Sequence, residues 1–368
     1  MIPAKDLKVE ELVYDKRLKH RLKQLFDRVS LDNCFITYSW FDSWLDSLSM
    51  RPKLLFVSYE KEDIGAIFFS KIPLTRAFPW LTIAHFNKSP LPEENQVWIE
   101  FNSIICKEES KALCAHAITS HLLSDRMLLG LQLQMASPKS EWLVNDVLNL
   151  SSYEVEEVKG YKRHLRSQQN FNEFLKDFSS GVRSEFNRSK RKAIKDFGEL
   201  ELKFAGQKDI NSYFEALSQL HKQKWSNTTD GSGFENEKFL KHHQKLINEH
   251  QSSTEIVCLV AGDFVLGYQY YLISKNKAYF YCAGLETKSV HKHIKPGLML
   301  HILTMYEFSK AGFEEYDFLG GEANYKNRLA DEVYSFFNIR IYKKSLVASL
   351  VRFTLNSKRI AKRLFSKF

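Results

Sequence analysis

The chain has 368 residues, 44% of them hydrophobic and 26% charged, which is the balance of a globular protein with apolar material for two compact domains of ordinary size. No apolar run approaches the roughly 18 residues that span a bilayer, and residues 1–28 are charged throughout, so neither a secretory leader nor a membrane anchor is expected and the expected location is cytoplasmic. The formal net charge of +9 favours anionic partners (CoA phosphates, nucleotide sugars, an acidic glycan, tRNA or a phospholipid surface) without choosing among them.

In chain order, a tryptophan-bearing stretch with Trp40 and Trp44 reads as a helix. Residues 53–59 and 65–69 then read as two strands around a charged turn. An amphipathic helix over 111–123 and an apolar strand over 128–135 follow. The second half repeats this order: a helix carrying Trp225, strands at 255–261 and 267–272 around Gly262-Asp263, a further strand at 278–284, a helix over 296–310 and a strand over 316–319. The recurrence predicts two copies of one α/β unit. We place an N-terminal structural domain at 1–155, a catalytic domain at 156–345 and a basic tail helix at 346–368. Cys34, Cys106, Cys114, Cys258 and Cys282 are scattered, with no CxxC pair and no histidine at metal-ligand spacing, so they read as small buried residues and no metal is expected. His242 and His243, in a charged helical stretch, are expected to face solvent.

The chemistry concentrates in the second copy. Pro296 suits the first turn of a helix, and Lys295-Pro296-Gly297-Leu298 could be simple helix punctuation or a phosphate site, with free N–H groups, a positive dipole end and the Lys295 charge. Asp317 lies in an apolar strand, where a carboxylate is either satisfied by backbone donors or held for function. Glu322, Tyr325 and Lys326 follow within one helical turn of each other, as a catalytic group or as a surface ion pair. His221 and Trp225, four apart, share a helix face that is either an acceptor platform or core. Arg188 and Arg191 belong to a run over 183–195 with six basic residues against one acid; it holds an anion or forms a solvated face. Residues 343–368 hold eight basic residues and no acid, with Ile360, Leu364 and Phe368 at four-residue spacing, which fits a helix packed on its own domain or peripheral contact with an anionic membrane.

Several motifs in order resemble the acetyltransferase domain of the GNAT superfamily found in proteins associated with bacterial cellulose biosynthesis (CelD/BcsL type), a relative of the FemAB-like transferases. They are Pro296-Gly297, Asp317-Phe318-Leu319, Gly320-Gly321-Glu322 and Tyr325-Lys326, with Leu220-His221 to Trp225 and Gly233-Phe234 upstream and a basic cluster before Gly198 further back. The superfamily's glycine-rich pyrophosphate loop is absent; 290–297 offers one glycine with Lys292, Lys295, His291 and His293. The resemblance implies a mixed α/β fold of two tandem GNAT-like domains. It also implies transfer of an acyl group from acetyl-CoA or another acyl-CoA to an amine or hydroxyl of a sugar or surface-polysaccharide precursor. The donor pyrophosphate would lie at Lys295 to Leu298, and His221, Trp225, Arg188 and Arg191 would face the acceptor. Glu322 would act as base, Tyr325 as acid to the departing thiolate and Lys326 as stabiliser of charge, with Asp317 in support. Two alternatives stay open: an aminoacyl-tRNA donor, as FemAB-like relatives use, and a non-catalytic scaffold for a polysaccharide synthase.

Overall fold

The computed structural model describes residues 6–29, 33–74, 78–137, 140, 142, 151–166, 170–228 and 231–344. The first half runs β1 (Lys8–Val13), α1 (Lys16–Arg28), α2 (Tyr38–Ser47), β2 (Lys53–Tyr59), β3 (Glu62–Pro73), β4 (Thr82–Phe86), β5 (Ile105–Cys106), α3 (Lys111–Ser124) and β6 (Leu128–Ala136). Then come β7 (Ser151–His164), α4 (Phe171–Lys176), α5 (Ser180–Phe197), β8 (Leu200–Phe204), α6 (Ile210–Trp225), α7 (Glu237–Glu249), β9 (Thr254–Ala261) and β10 (Phe264–Ser274). The described chain ends with β11 (Lys277–Leu285), α8 (Pro296–Lys310), β12 (Glu315–Gly320), α9 (Asn324–Leu329) and β13 (Glu332–Lys343). The expected basic tail at 346–368 lies outside the described residues.

Every strand joins one mixed sheet in the order β1-β2-β3-β4-β6-β13-β7-β12-β11-β10-β9-β8, with β5 beside β3. The internal repeat is legible in it. From each edge inward come three antiparallel steps and then one parallel step, β4 to β6 and β11 to β12. A parallel step needs a crossover, and α3 and α8 supply it. The last strand of each half is exchanged: β7, which follows β6 in the chain, pairs with β12, while β13, which follows β12, pairs with β6. β7 and β13 also pair with each other along the whole of β13, which fuses the two repeats into one sheet. The sequence boundary at 155/156 falls inside β7 for this reason.

The core crosses the same seam. Phe35 and Trp40 of the first half share an apolar cluster with Tyr270 and Tyr279 of the second. α7 packs on α2, and His242 and His243 are fully buried there, with the His242 ring 4.5 Å from Trp40. The solvated face expected for these histidines is corrected by that packing; burial holds the His242 imidazole neutral, its pKa lowered to about 3. Asp42, Glu249 and His250 bring potential metal-ligand atoms together nearby, but Asp42 is already paired with Lys19 at 2.6 Å and Lys245 at 2.8 Å. No helix among the described residues is long and apolar enough to cross a membrane.

Candidate active site

β11 and β12 pair only at Lys277↔Glu315, Ala278↔Tyr316 and Tyr279↔Asp317, and then part. Their counterparts β4 and β6, after one register shift between Thr82 and Ile83, stay paired as far as His85↔Gln132, next to the end of β4. The parted strands open a cavity of about 650 Å³, walled by the second half of β11, by residues 287–298 and by Tyr325. Pro296 fills the first turn of α8, where its missing N–H costs nothing, and that helix start forms part of the wall. The Lys295 N–H donates to Ser189 Oγ at 2.7 Å, so α5 anchors the approach to the helix. Arg328 and Glu185, paired at 2.6 Å, close one rim.

A second cavity of about 500 Å³ shares His221, Phe280, Tyr281, Cys282 and Tyr325 with the first, so the two meet across these side chains. Its other wall comes from the first half of the chain: Asn95, Gln96, Trp98 and Glu100. Trp98 is 45% exposed, with the Lys88 ammonium 5.5 Å from its ring centre.

The end of β12, which lines the second cavity, is kinked. Its register against β7 slips between Asp317 and Leu319, and Leu319 takes a φ of 62°, a left-handed conformation that costs energy for a non-glycine residue. Polar groups hold it there. The buried Asp317 carboxylate accepts the Leu319 N–H at 2.7 Å and the Tyr334 hydroxyl at 2.8 and 2.9 Å. Lys326 Nζ donates to the Gly320 carbonyl at 2.6 Å and to that of Leu319 at 3.3 Å, and the Gly320 N–H donates to Glu100 Oε2 at 2.8 Å. The corresponding residue of β6, Met135, has the same kink with a φ of 53°, but there Asn338 supplies the contact, accepting the Met135 N–H at 3.1 Å, where the second half has a carboxylate.

Burial dominates the electrostatics. It pushes the Glu100 carboxyl up to about 7 against the opposing Gly320 N–H and Lys326 charge. It pushes Asp317 up to about 8, against its two hydrogen-bond donors, and lowers the Lys326 ammonium. His221 is lowered to about 4 and His301 to about 3, both neutral near pH 7, while the Tyr325 hydroxyl is raised and stays protonated.

Tyr325 and Lys326 thus line the second cavity together with His221, while Asp317 lines neither cavity and holds the kink through Leu319 and Tyr334. The His221 ring stacks near Trp225 at 6.0 Å and its Nδ1 lies 2.9 Å from Ser232 Oγ. Lys295, Pro296, Gly297, Leu298 and Trp225 line the first cavity. Glu322 is not among the lining residues. α9 begins only at Asn324, so the helical pairing of Glu322 with Lys326 does not form, and Glu322 is exposed and ion-paired with Lys159 of β7 at 2.9 Å. Arg188 and Arg191 are exposed on α5 and line neither cavity. Sequence reasoning missed Glu100, Trp98, His301 and Gln269. Glu100 carried the signal that marked Asp317, a lone carboxylate among apolar residues in Trp98-Ile99-Glu100-Phe101.

Residues 180–327 match the family model for an acetyltransferase (GNAT) domain. The matched segment runs from the start of α5 into α9. No curated protein matches the chain in sequence. Among solved structures, FemX superposes with a TM-score of 0.55 at 9% identity, over 91% of this chain and 97% of that one. A conserved protein of unknown function from Bacteroides thetaiotaomicron superposes with a TM-score of 0.54, also at 9% identity, over 91% of this chain and all of that one. Such identities speak to fold alone, and the fold they share with this chain spans both halves.

Proposed function

We propose that the protein is an acyltransferase that takes the acyl group of an acyl-CoA held in the larger cavity and passes it to an amine or hydroxyl of an acceptor in the smaller one. The observation that carries this is the pair of cavities meeting at Tyr325, one built on parted strands and a helix start, the other lined by Glu100 and Lys326. The helix start and Lys295 suit the donor's pyrophosphate. Glu100, with a pKa near neutrality and a place on the acceptor side, takes the acceptor proton as the amine or hydroxyl attacks the thioester carbonyl. Tyr325, protonated and shared by both cavities, gives its proton to the departing thiolate. Lys326 and Asp317 hold the kink that positions Gly320 between them. The exposed Trp98 indole beside Asn95 and Gln96 is a stacking and hydrogen-bonding platform for a sugar ring, which supports a surface-glycan acceptor of the cellulose-associated type.

Calorimetry with acetyl-CoA tests the donor assignment. Binding should weaken with added salt and with Lys295→Glu. Unchanged affinity in that variant would move the pyrophosphate elsewhere, and a purified protein that retains charged tRNA and ignores CoA would replace the donor altogether.

A further inference from the structure

Among the described residues, two that line the larger cavity keep a buried polar atom without a hydrogen-bond partner, Gln269 and Tyr281, and Gln269 is the one whose other pole is already held. Gln269 of β10 is fully buried, lines this cavity, and its Nε2 has no hydrogen-bond partner among the described residues. An amide N–H left unpaired in the interior is costly, so a cavity that keeps one calls for a ligand with an acceptor oxygen.

The other end of that amide is fixed. The Tyr271 hydroxyl donates to Gln269 Oε1 at 2.5 Å. The Tyr271 and Tyr316 hydroxyls are 2.9 Å apart, and the Tyr316 hydroxyl is 2.6 Å from His301 Nδ1. Each hydroxyl has a single proton, so the chain has one consistent direction. With Tyr271 donating to Gln269, Tyr271 accepts from Tyr316, and Tyr316 accepts from the Nδ1–H of a neutral His301. The far end of this chain is therefore an imidazole whose Nε2 is bare and whose ring stacks on Tyr325 at 5.2 Å and 14°. With Oε1 held by this chain, the Nε2 N–H groups are the free end of an amide that lines the cavity.

We propose that Gln269 is a donor-binding residue whose Nε2 donates to a carbonyl oxygen of the acyl donor, that of the thioester or that of a pantetheine amide. The assignment rests on the acyl-CoA reading above and adds a specific contact to it. A phosphate is a poor fit for this position, since Gln269 offers a single neutral donor and the cationic groups of the lining come from other elements: Lys224 from α6, Lys292 and Lys295 from the 287–298 wall and Arg328 from α9.

The test is calorimetry of the full chain, wild type against Gln269→Met, with free CoA and with acetyl-CoA. The variant should bind acetyl-CoA roughly 3- to 10-fold more weakly, the range of one net hydrogen bond. An equal loss for free CoA assigns the pantetheine amide; a loss confined to acetyl-CoA assigns the thioester carbonyl. Unchanged affinity for both ligands overturns the Gln269 contact and leaves the donor reading standing. A wild-type protein with no affinity for either ligand overturns both. Should the variant not fold, the side-chain NH₂ resonances of Gln269 in the 15N-labelled wild type give the answer, because they must shift when acetyl-CoA is added, and their constancy would end the proposal.

Discussion

Glu100 and Glu322 differ in how they are placed more than in what they are. Glu322 is solvated and neutralised by Lys159, whereas the buried Glu100 carboxyl accepts the Gly320 N–H and has its pKa near 7. General acid-base groups contribute about a hundredfold to ten-thousandfold, so Glu100→Gln should depress turnover on that scale while Glu322→Gln leaves it within a few-fold. Steady-state kinetics at saturating donor separates the two, and the reverse ranking would return the base to Glu322. Stability gives a second readout. The Glu100 carboxyl moves from 4.5 to about 7 on folding and Asp317 from 3.8 to about 8, so both hold protons in the fold that the unfolded chain has released. Their contribution is complete below the unfolded values and is lost as pH rises, from about 4.5 to 7 for Glu100 and about 4 to 8 for Asp317. At about 1.4 kcal/mol per pKa unit, Glu100 alone should cost the protein roughly 3–4 kcal/mol across its window. Glu100→Gln should accordingly raise the melting temperature more at pH 8 than at pH 5. An equal shift at both values would mean that the buried carboxylate is not titrating there.

At the level of elements, what distinguishes the two repeats is the parting of one strand pair. Helix α6 crosses β11 so closely at Gly284 that a Cβ there would stand 2.4 Å from the Leu217 carbonyl oxygen and 3.0 Å from the Leu217 Cα. Backbone cannot give way as a side-chain end can, so Gly284→Ala should push α6, with His221 and Trp225, off the cavity wall. Overpacking of this kind typically costs about 1–3 kcal/mol. Chemical denaturation should show that loss together with weakened acceptor binding, and a variant of unchanged stability would mean that α6 rides more loosely on β11 than the contact implies. Such a contact has no sequence signature beyond the glycine itself. The elements were legible because their periodicities are strong: 53–59, 255–261 and 296–310 announce themselves as strand or helix, and the doubled order of elements announced the repeat. The motif after β12 was legible as a cluster, but which of its acids faces the cavity depends on where α9 starts. Glu100 enters the site from 220 positions upstream of Gly320, a distance that no local pattern spans. His242 and His243 were misread for the same reason, since the surface that buries them belongs to α2.

For the molecule as a whole, the exchange of final strands makes the two repeats dependent on each other. β12 has β7 as its antiparallel neighbour, and β13 lies between β6 and β7, so a cut between the halves would strip pairing from both sides of β13. The same cut would uncover the Trp40 face of His242 and the cluster joining Phe35 to Tyr279, and would break the pairs from Asp42 to Lys245 and from Asn236 to the Glu93 carbonyl at 2.7 Å. Unpaired strand edges and exposed aromatic surface are what drive association between chains. Residues 165–344 expressed alone, although they contain the whole matched GNAT segment, should therefore be insoluble or lack a cooperative transition, whereas the full chain should unfold in one step with calorimetric and van't Hoff enthalpies in agreement. The acceptor cavity makes the same demand, since its Glu100 and Trp98 wall would be missing from the fragment. A soluble 165–344 fragment with its own sharp melting transition, or two separated transitions in the full chain, would show that the shared sheet is a contact between independent domains and that the second half can be studied without the first.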